Sequence, residues 1–265
     1  MRITIMFGLG LLTVGGAARA GTPVPVTTCG QIVSGTGQLT ANLDCSGAAD
    51  EAVKLTGKLL LNGFTLTGNP AFDVVRCQTG GCGVSGPGTI TGGADGVRSD
   101  RGARVDAGAI ITGNAGDGVR TESTAKVLDA TISGNGGDGV RSKSRATIQR
   151  STVSGNTGDG VRTDKTASLK EAIVTGNAGA GVDSDLTAKA KLSTVTANGL
   201  DGVKGLRVVL SSSTATGNGT APICGVLDDC ADLAAANLPR LSGTSACGTS
   251  RDTENGGSWG VCAND

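Results

Sequence analysis

The chain has 265 residues, with 46 Gly, three Phe, one Trp and neither Tyr nor His. That composition excludes an ordinary core built from large aromatic side chains, and any site that needs a histidine or a tyrosine. The formal charge is zero at pH 7, which gives no reason to expect nucleic acid or an anionic membrane as partner.

The chain opens on MRITIMFGLGLLTVGGAARA. Arg2, the apolar run behind it and the small-x-small triplet Ala18-Arg19-Ala20 predict a signal peptide over residues 1–20, with an uncleaved anchor as the alternative. The run is shorter than the roughly 20 apolar residues of a membrane span, and no later segment qualifies. A soluble protein, secreted or at the cell surface (extracellular or periplasmic), is expected. Cleavage would remove Arg2 and Arg19, leaving a net charge of about −2.

Residues 21–52 are expected to form an N-terminal cap, residues 53–220 the body, and residues 221–265 a Cys-rich C-terminal cap. The eight cysteines lie at 29, 45, 77, 82, 224, 230, 247 and 262, all outside the most regular stretch. In an exported chain an even count reads as disulfides. Pairing sequence neighbours closes the smallest loops and favours Cys29–Cys45, Cys77–Cys82, Cys224–Cys230 and Cys247–Cys262, although other connectivities are open. Zinc is the rival reading, but no His is present and the spacings match no finger. In the last cap, DDCADLAAANLPR carries helix-forming Ala and Leu and predicts a short helix over the open end.

The body repeats. Strings of the form Asp-Gly-Val begin at Asp95, Asp117, Asp138, Asp159 and Asp201, with Ala180 standing in for Asp, at steps of 22 and then 21 residues. A fixed period of this length marks a solenoid. One unit, DGVRSKSRATIQRSTVSGNTG, holds three β-favouring pieces, GVRS, ATIQ and STVSG, separated by turn formers. Three strands per coil predict an all-β, three-sided parallel β-helix of about 21 residues per coil, with disulfide-stapled end caps.

Alternation assigns the inward columns. Val119, Val140, Val161, Val182 and Val203 form one, with Thr121, Ser142, Thr163 and Ser184 two residues on. Ala125, Ala146, Ala167 and Ala188 form a second column, and Ile132, Val153, Val174 and Val195 a third. Asn114, Asn135, Asn156, Asn177, Asn198 and Asn218 mark one corner, where stacked amides can bond to each other and to the turn. Gly118, Gly139 and Gly160 are expected to let the backbone turn tightly there. A phosphate loop would need a following helix and a Lys-Ser/Thr pair, which are absent.

The segments LNGFTLTG (61–68) and GPGTITGG (86–93), with the recurring TVSGN and GDGVR, resemble the secreted bacterial right-handed parallel β-helix repeat proteins with pectin-lyase-like coils. The resemblance covers roughly residues 53–218. It implies a right-handed winding, which the general chirality of parallel crossovers also favours. For activity it is a poor guide, because the family spans lyases, hydrolases, epimerases and surface proteins.

Outward columns carry whatever chemistry there is. Arg98, Arg120, Arg141 and Arg162 stack at about 4.8 Å, at a cost of about 1 kcal/mol per like-charged pair in water. Asp100, Glu122 and Asp164 are expected to compensate three of them. A basic spot is then left around Arg141, Lys143 and Arg145, so that Arg120, Arg141, Lys143, Arg145 and Arg162 are the candidate ligand-binding residues for an anionic polymer. The alternative is a solvated, salt-bridged face. The Asp column at 117, 138 and 159 is expected to bond to turn backbone, with calcium between coils as the alternative and no other cofactor or metal. The Thr-x-Thr array, as at Thr65–Thr67 and Thr194–Thr196, resembles ice-binding β-helices but is interrupted by Ile110 and Ile173.

A catalytic centre should depart from the repeat, and the clearest departure is Asp183 in the place of Arg. Asp183, Asp185, Lys204 and Arg162 are the candidates for an acid or base. The reading is an exported, monomeric, non-catalytic surface or matrix module with a polysaccharide or cell-envelope partner. The alternative is a lyase or epimerase acting on uronate polymers.

Overall fold

The computed structural model describes residues 22–219, 231–260 and 262. The expected leader and the pair Cys224–Cys230 lie outside the described residues. Each repeat is one coil of a parallel β-solenoid. In the coil quoted above, the strands are Val140–Ser142, Arg145–Gln149 and Thr152–Ser154, each paired in parallel with its copy one coil on.

Third strands stack into a ten-stranded sheet running from Leu43–Asp44 to Ala246–Cys247. First and second strands share an 18-stranded sheet. They merge because toward both ends a single long strand, Val53–Leu60 or Val182–Lys191, passes through both sides without a break. No helix forms among the described residues, and so none there is long and apolar enough to cross a membrane.

The interior is the set of columns predicted from alternation. Val119, Val140, Ala146, Ile148 and Val153 are fully buried, and each faces its own equivalent above and below. Burial of one such branched side chain contributes about 1.5–3 kcal/mol. Repetition over the coils replaces the missing aromatic core.

The Asn corner is a continuous amide ladder. Asn135 donates from its backbone N–H (3.1 Å) and from Nδ2 (2.9 Å) to Oδ1 of Asn156, and Asn156 does the same to Asn177. The last rung changes residue type: Asn218 donates in the same way to Asp232 Oδ1. Here the reason expected for the glycines is corrected. Gly118, Gly139 and Gly160 do not have left-handed backbone. They are glycine because a Cβ on Gly139 would lie 2.5 Å from Val153 Cγ1 and 2.7 Å from Gly160 O. The left-handed turn falls instead on Gly134, Gly155 and Gly176, with φ of 62–65°.

At the corner between first and second strands, inward hydroxyls bind the turn. Ser142 Oγ donates to Ser123 O at 2.6 Å, and Thr163 and Ser184 repeat the contact. At the remaining corner the regular coils turn through one left-handed residue, Asp129, Arg150, Glu171 and Leu192, whereas two earlier coils use a pair, Asn62 with Gly63 and Ala107 with Gly108.

At the N-terminal end, Val24–Val26 and Gln31–Leu39 continue the same parallel pairing, and Cys29 is bonded to Cys45. Cys77–Cys82 and Cys247–Cys262 are also formed. In the described part of DDCADLAAANLPR, residues 231–240, the expected helix does not form. Leu233–Ala235 is a strand paired with Val203–Gly205. Propensity yields because the last coil offers open backbone groups and an apolar end, which Leu233 and Ala235, both fully buried, continue and cover.

Candidate functional site

Two outward faces carry nearly all the charge, and they differ in how it is balanced. On the first-strand face one register column runs Lys54, Arg76, Arg98, Arg120, Arg141, Arg162, Asp183 and Lys204. Beneath it the corner aspartates form a second ladder. Asp95, Asp117, Asp138 and Asp159 each accept, on Oδ1, the backbone N–H of the equivalent residue in the next coil at 2.7–2.8 Å. Their other oxygens face the arginine three residues on: Asp117 to Arg120 at 3.7 Å, Asp138 to Arg141 at 3.6 Å and Asp159 to Arg162 at 3.5 Å.

These aspartates are buried. Burial pushes Asp117 and Asp159 up to about 6, the neighbouring aspartates add to the rise, and the backbone N–H bonds with the facing arginines offset only part of it. Burial likewise raises Asp73 and Asp201. Oδ2 of Asp117 and Oδ2 of Asp138 are buried with no hydrogen-bond partner.

The compensation expected from Asp100, Glu122 and Asp164 is therefore replaced. Asp100 pairs with Arg76 and Glu122 with Lys143, while the buried ladder balances the arginine column. Arg120, Arg141 and Lys143 share one small cleft, whereas Arg145 lies on the adjacent face.

That adjacent face, formed by the outer sides of the second strands, is basic. One column reads Lys58, Gly83, Arg104, Lys126, Thr147, Ser168 and Lys189. Arg145 and Arg207 flank it on one side, Lys170 and Lys191 on the other. Asp106 pairs with Arg104 at 2.5 Å, and Lys170 pairs with Glu171 at the turn. Burial works against the Asp106 carboxylate, but the Ser85 hydroxyl, Arg104 and Lys58 together hold it below the usual range. Among the described residues Lys58, Lys126, Arg145, Lys189, Lys191 and Arg207 have no carboxylate within ion-pair distance. A groove of about 410 Å³ crosses this face at Lys58, Gly83, Arg104 and Lys126. It went unseen in the sequence because Gly83 carries no functional group.

Farther along, the first-to-second corner opens into a cleft of about 320 Å³. It brings together all four candidates Arg162, Asp183, Asp185 and Lys204, with Leu206 on its wall and Lys204 Nζ 3.6 Å from Asp183. The register of the long strands slips between Ser184 and Thr187, which shapes this break in the repeat. The third face is a flat hydroxyl array: Thr175 Oγ1 lies 3.3 Å from Thr196 Oγ1, and Ile110 and Ile173 interrupt the rows. Among the described residues no group of three or more His, Cys, Asp or Glu is placed to hold a metal ion.

The coil pattern, the corner ladders and the parallel register define a class, and comparison with known proteins agrees. Residues 62–223 match the family model described as right handed beta helix region, and the chain belongs to that family. The crystal structure of pectate lyase Pel9A has the same fold, with a TM-score of 0.52 and 11% identity over 83% of this chain and 71% of that one. No curated protein matches the chain.

Proposed function

We propose that the protein is an exported, monomeric, non-catalytic β-helix module that holds an acidic polysaccharide of the cell envelope or matrix along its second-strand face. The observation that carries this reading is the segregation of charge. The arginines of the first-strand face are balanced by buried aspartates, whereas the lysines and arginines of the second-strand face are exposed and mostly unpaired. Mostly uncompensated cations set at intervals of one to three strand spacings, about 5–15 Å, along a rigid strand stack suit a linear polyanion. The disulfides accord with an oxidising compartment.

The test is retention of the protein on immobilised acidic and neutral polysaccharides across a salt gradient, with the soluble fraction assayed for new chain ends. Retention on acidic polymer that falls with salt and with Lys126→Ala plus Arg145→Ala supports the reading. Equal retention on neutral polymer overturns it. A second reading, a lyase or epimerase on uronate polymers, draws on the cleft that gathers Asp183, Asp185, Lys204 and Arg162. New chain ends that vanish in Asp183→Asn with stability unchanged would replace the first reading with this one.

A further inference from the structure

Within the basic column one position has no side chain. Gly83 stands between Lys58 and Arg104 in register, two cations about 10 Å apart at two strand spacings. In the coils beyond, the same outward position holds Arg104, Lys126, Thr147, Ser168 and Lys189.

Backbone conformation does not demand glycine here. Gly83 is not left-handed, and a Cβ on it would meet Lys58 Cγ at 3.6 Å and Arg104 O at 3.9 Å, ordinary contact distances. Its neighbours at the turn are different: a Cβ on Gly81 or on Gly102 would sit 3.0 Å from a carbonyl oxygen of the next coil. The missing side chain at 83 thus leaves open space that joins the space over the turn glycines Gly57, Gly81 and Gly102 in one groove of about 410 Å³, within the roughly 300–1,000 Å³ of small-ligand sites. Its floor is glycine backbone and Cα carbon. Its shape is held from behind by the Cys77–Cys82 bond, which closes the turn leading into Gly83.

The rim carries the charge. Lys58 and Lys126 are exposed and unpaired among the described residues, and Arg104 spends only its Nε–H on Asp106. Asp106 Oδ1 already accepts the Ser85 hydroxyl at 2.6 Å and has a further lone pair for a ligand hydroxyl.

We propose that this notch is a specific seat for one sugar ring bearing an anionic group, carboxylate or sulfate, within the bound polymer. The carbon face of the ring lies on the glycine floor, and its anionic substituent is held by Lys58 and Arg104, which flank Gly83, with Lys126 one strand beyond Arg104. This rests on the polysaccharide-binding reading above and adds to it a position and a ligand chemistry.

The experiment is titration calorimetry of the full chain with three tetrasaccharides, of hexuronic acid, of a sulfated hexose and of a neutral hexose, alongside retention on the parent polymers. Wild type is expected to bind one or both anionic probes and not the neutral one; which anionic probe binds identifies the substituent. Gly83→Leu, which fills the notch, is expected to weaken tetrasaccharide binding about tenfold or more, with its melting temperature unchanged. Gly83→Ser and Lys58→Gln serve as second variants should the larger side chain disturb the fold, and both are expected to weaken binding. Lys189→Ala, outside the notch, should weaken retention on polymer but not tetrasaccharide binding. Wild-type affinity in the folded Gly83 variants, with polymer retention intact, overturns the seat and leaves the basic face standing. No retention of wild type on any acidic polymer overturns both.

Discussion

Asp117 accepts the backbone N–H of Asp138, one coil on, at 2.7 Å, while its second carboxylate oxygen is sealed from water without a hydrogen bond. The fold needs the first oxygen and penalises the charge on the second. Asp117 and Asp159 are raised from 3.8 to about 6, so the folded chain binds these protons more tightly than the unfolded chain. Their stabilising contribution is complete below about 4 and is lost as pH rises through about 6. Lowering pH from 7.5 to 5 is therefore expected to add about 1 kcal/mol per group and to raise the melting temperature by roughly 5 °C in total. Asp117→Asn with Asp159→Asn should flatten that slope, and a melting temperature that falls steadily toward pH 5 would count against the ladder being protonated.

Asn156 Oδ1 accepts both the backbone N–H and the Nδ2 of Asn135, and its own Nδ2 donates to Asn177. Asn156→Ala strands the buried backbone N–H of Asn135 and takes from Asn135 Nδ2 the shorter of its two bonds, while Asn177 Oδ1 keeps only the backbone N–H of residue 156. A loss of about 3–5 kcal/mol is expected by denaturant unfolding. Asn218, at the end of the ladder and less enclosed, should cost less.

Gly139 and Gly83 make a matched pair. Alanine at 139 would drive Cβ into Val153, Gly160 O and Asn156 Nδ2 at 2.5–2.8 Å, and its cost is expected to exceed about 3 kcal/mol or to abolish folding. Alanine at 83 meets only ordinary contacts and should change stability by less than about 0.5 kcal/mol. Thermal melts of the two variants side by side check the claim that one glycine is steric and the other is not.

Cys29 and Cys45 close a loop with a sequence separation of 16 in the first described coil. Replacing both by alanine is expected to lower stability by about 3 kcal/mol. Hydrogen exchange should place the loss in Gln31–Leu39 and the strand paired with it, with the middle coils still protected, because each coil touches only its neighbours.

Much of this architecture was legible in the residues. Over the middle coils a period of 21 aligns the inward Val, the corner Asn and the Thr-x-Thr or Thr-x-Ser positions in the written sequence, and a parallel in-register solenoid turns that alignment directly into contact. The helix expected at Leu233–Ala235 was not legible in the same way, because the demand of an open coil end for strand partners has no local signature. The charges were harder. Arg120 is balanced by Asp117 across a corner, and nothing in their spacing tells whether that carboxylate faces the guanidinium or the solvent. The notch was hidden for a further reason. Gly83 and Arg104 stand one regular period apart, but Lys58 precedes Gly83 by more than a period, so the alignment of all three exists only once the strands are paired. Column identity follows from periodicity, which is local and visible in the chain. Charge balance and empty space depend on which atoms meet across coils and corners, and only the folded packing decides that.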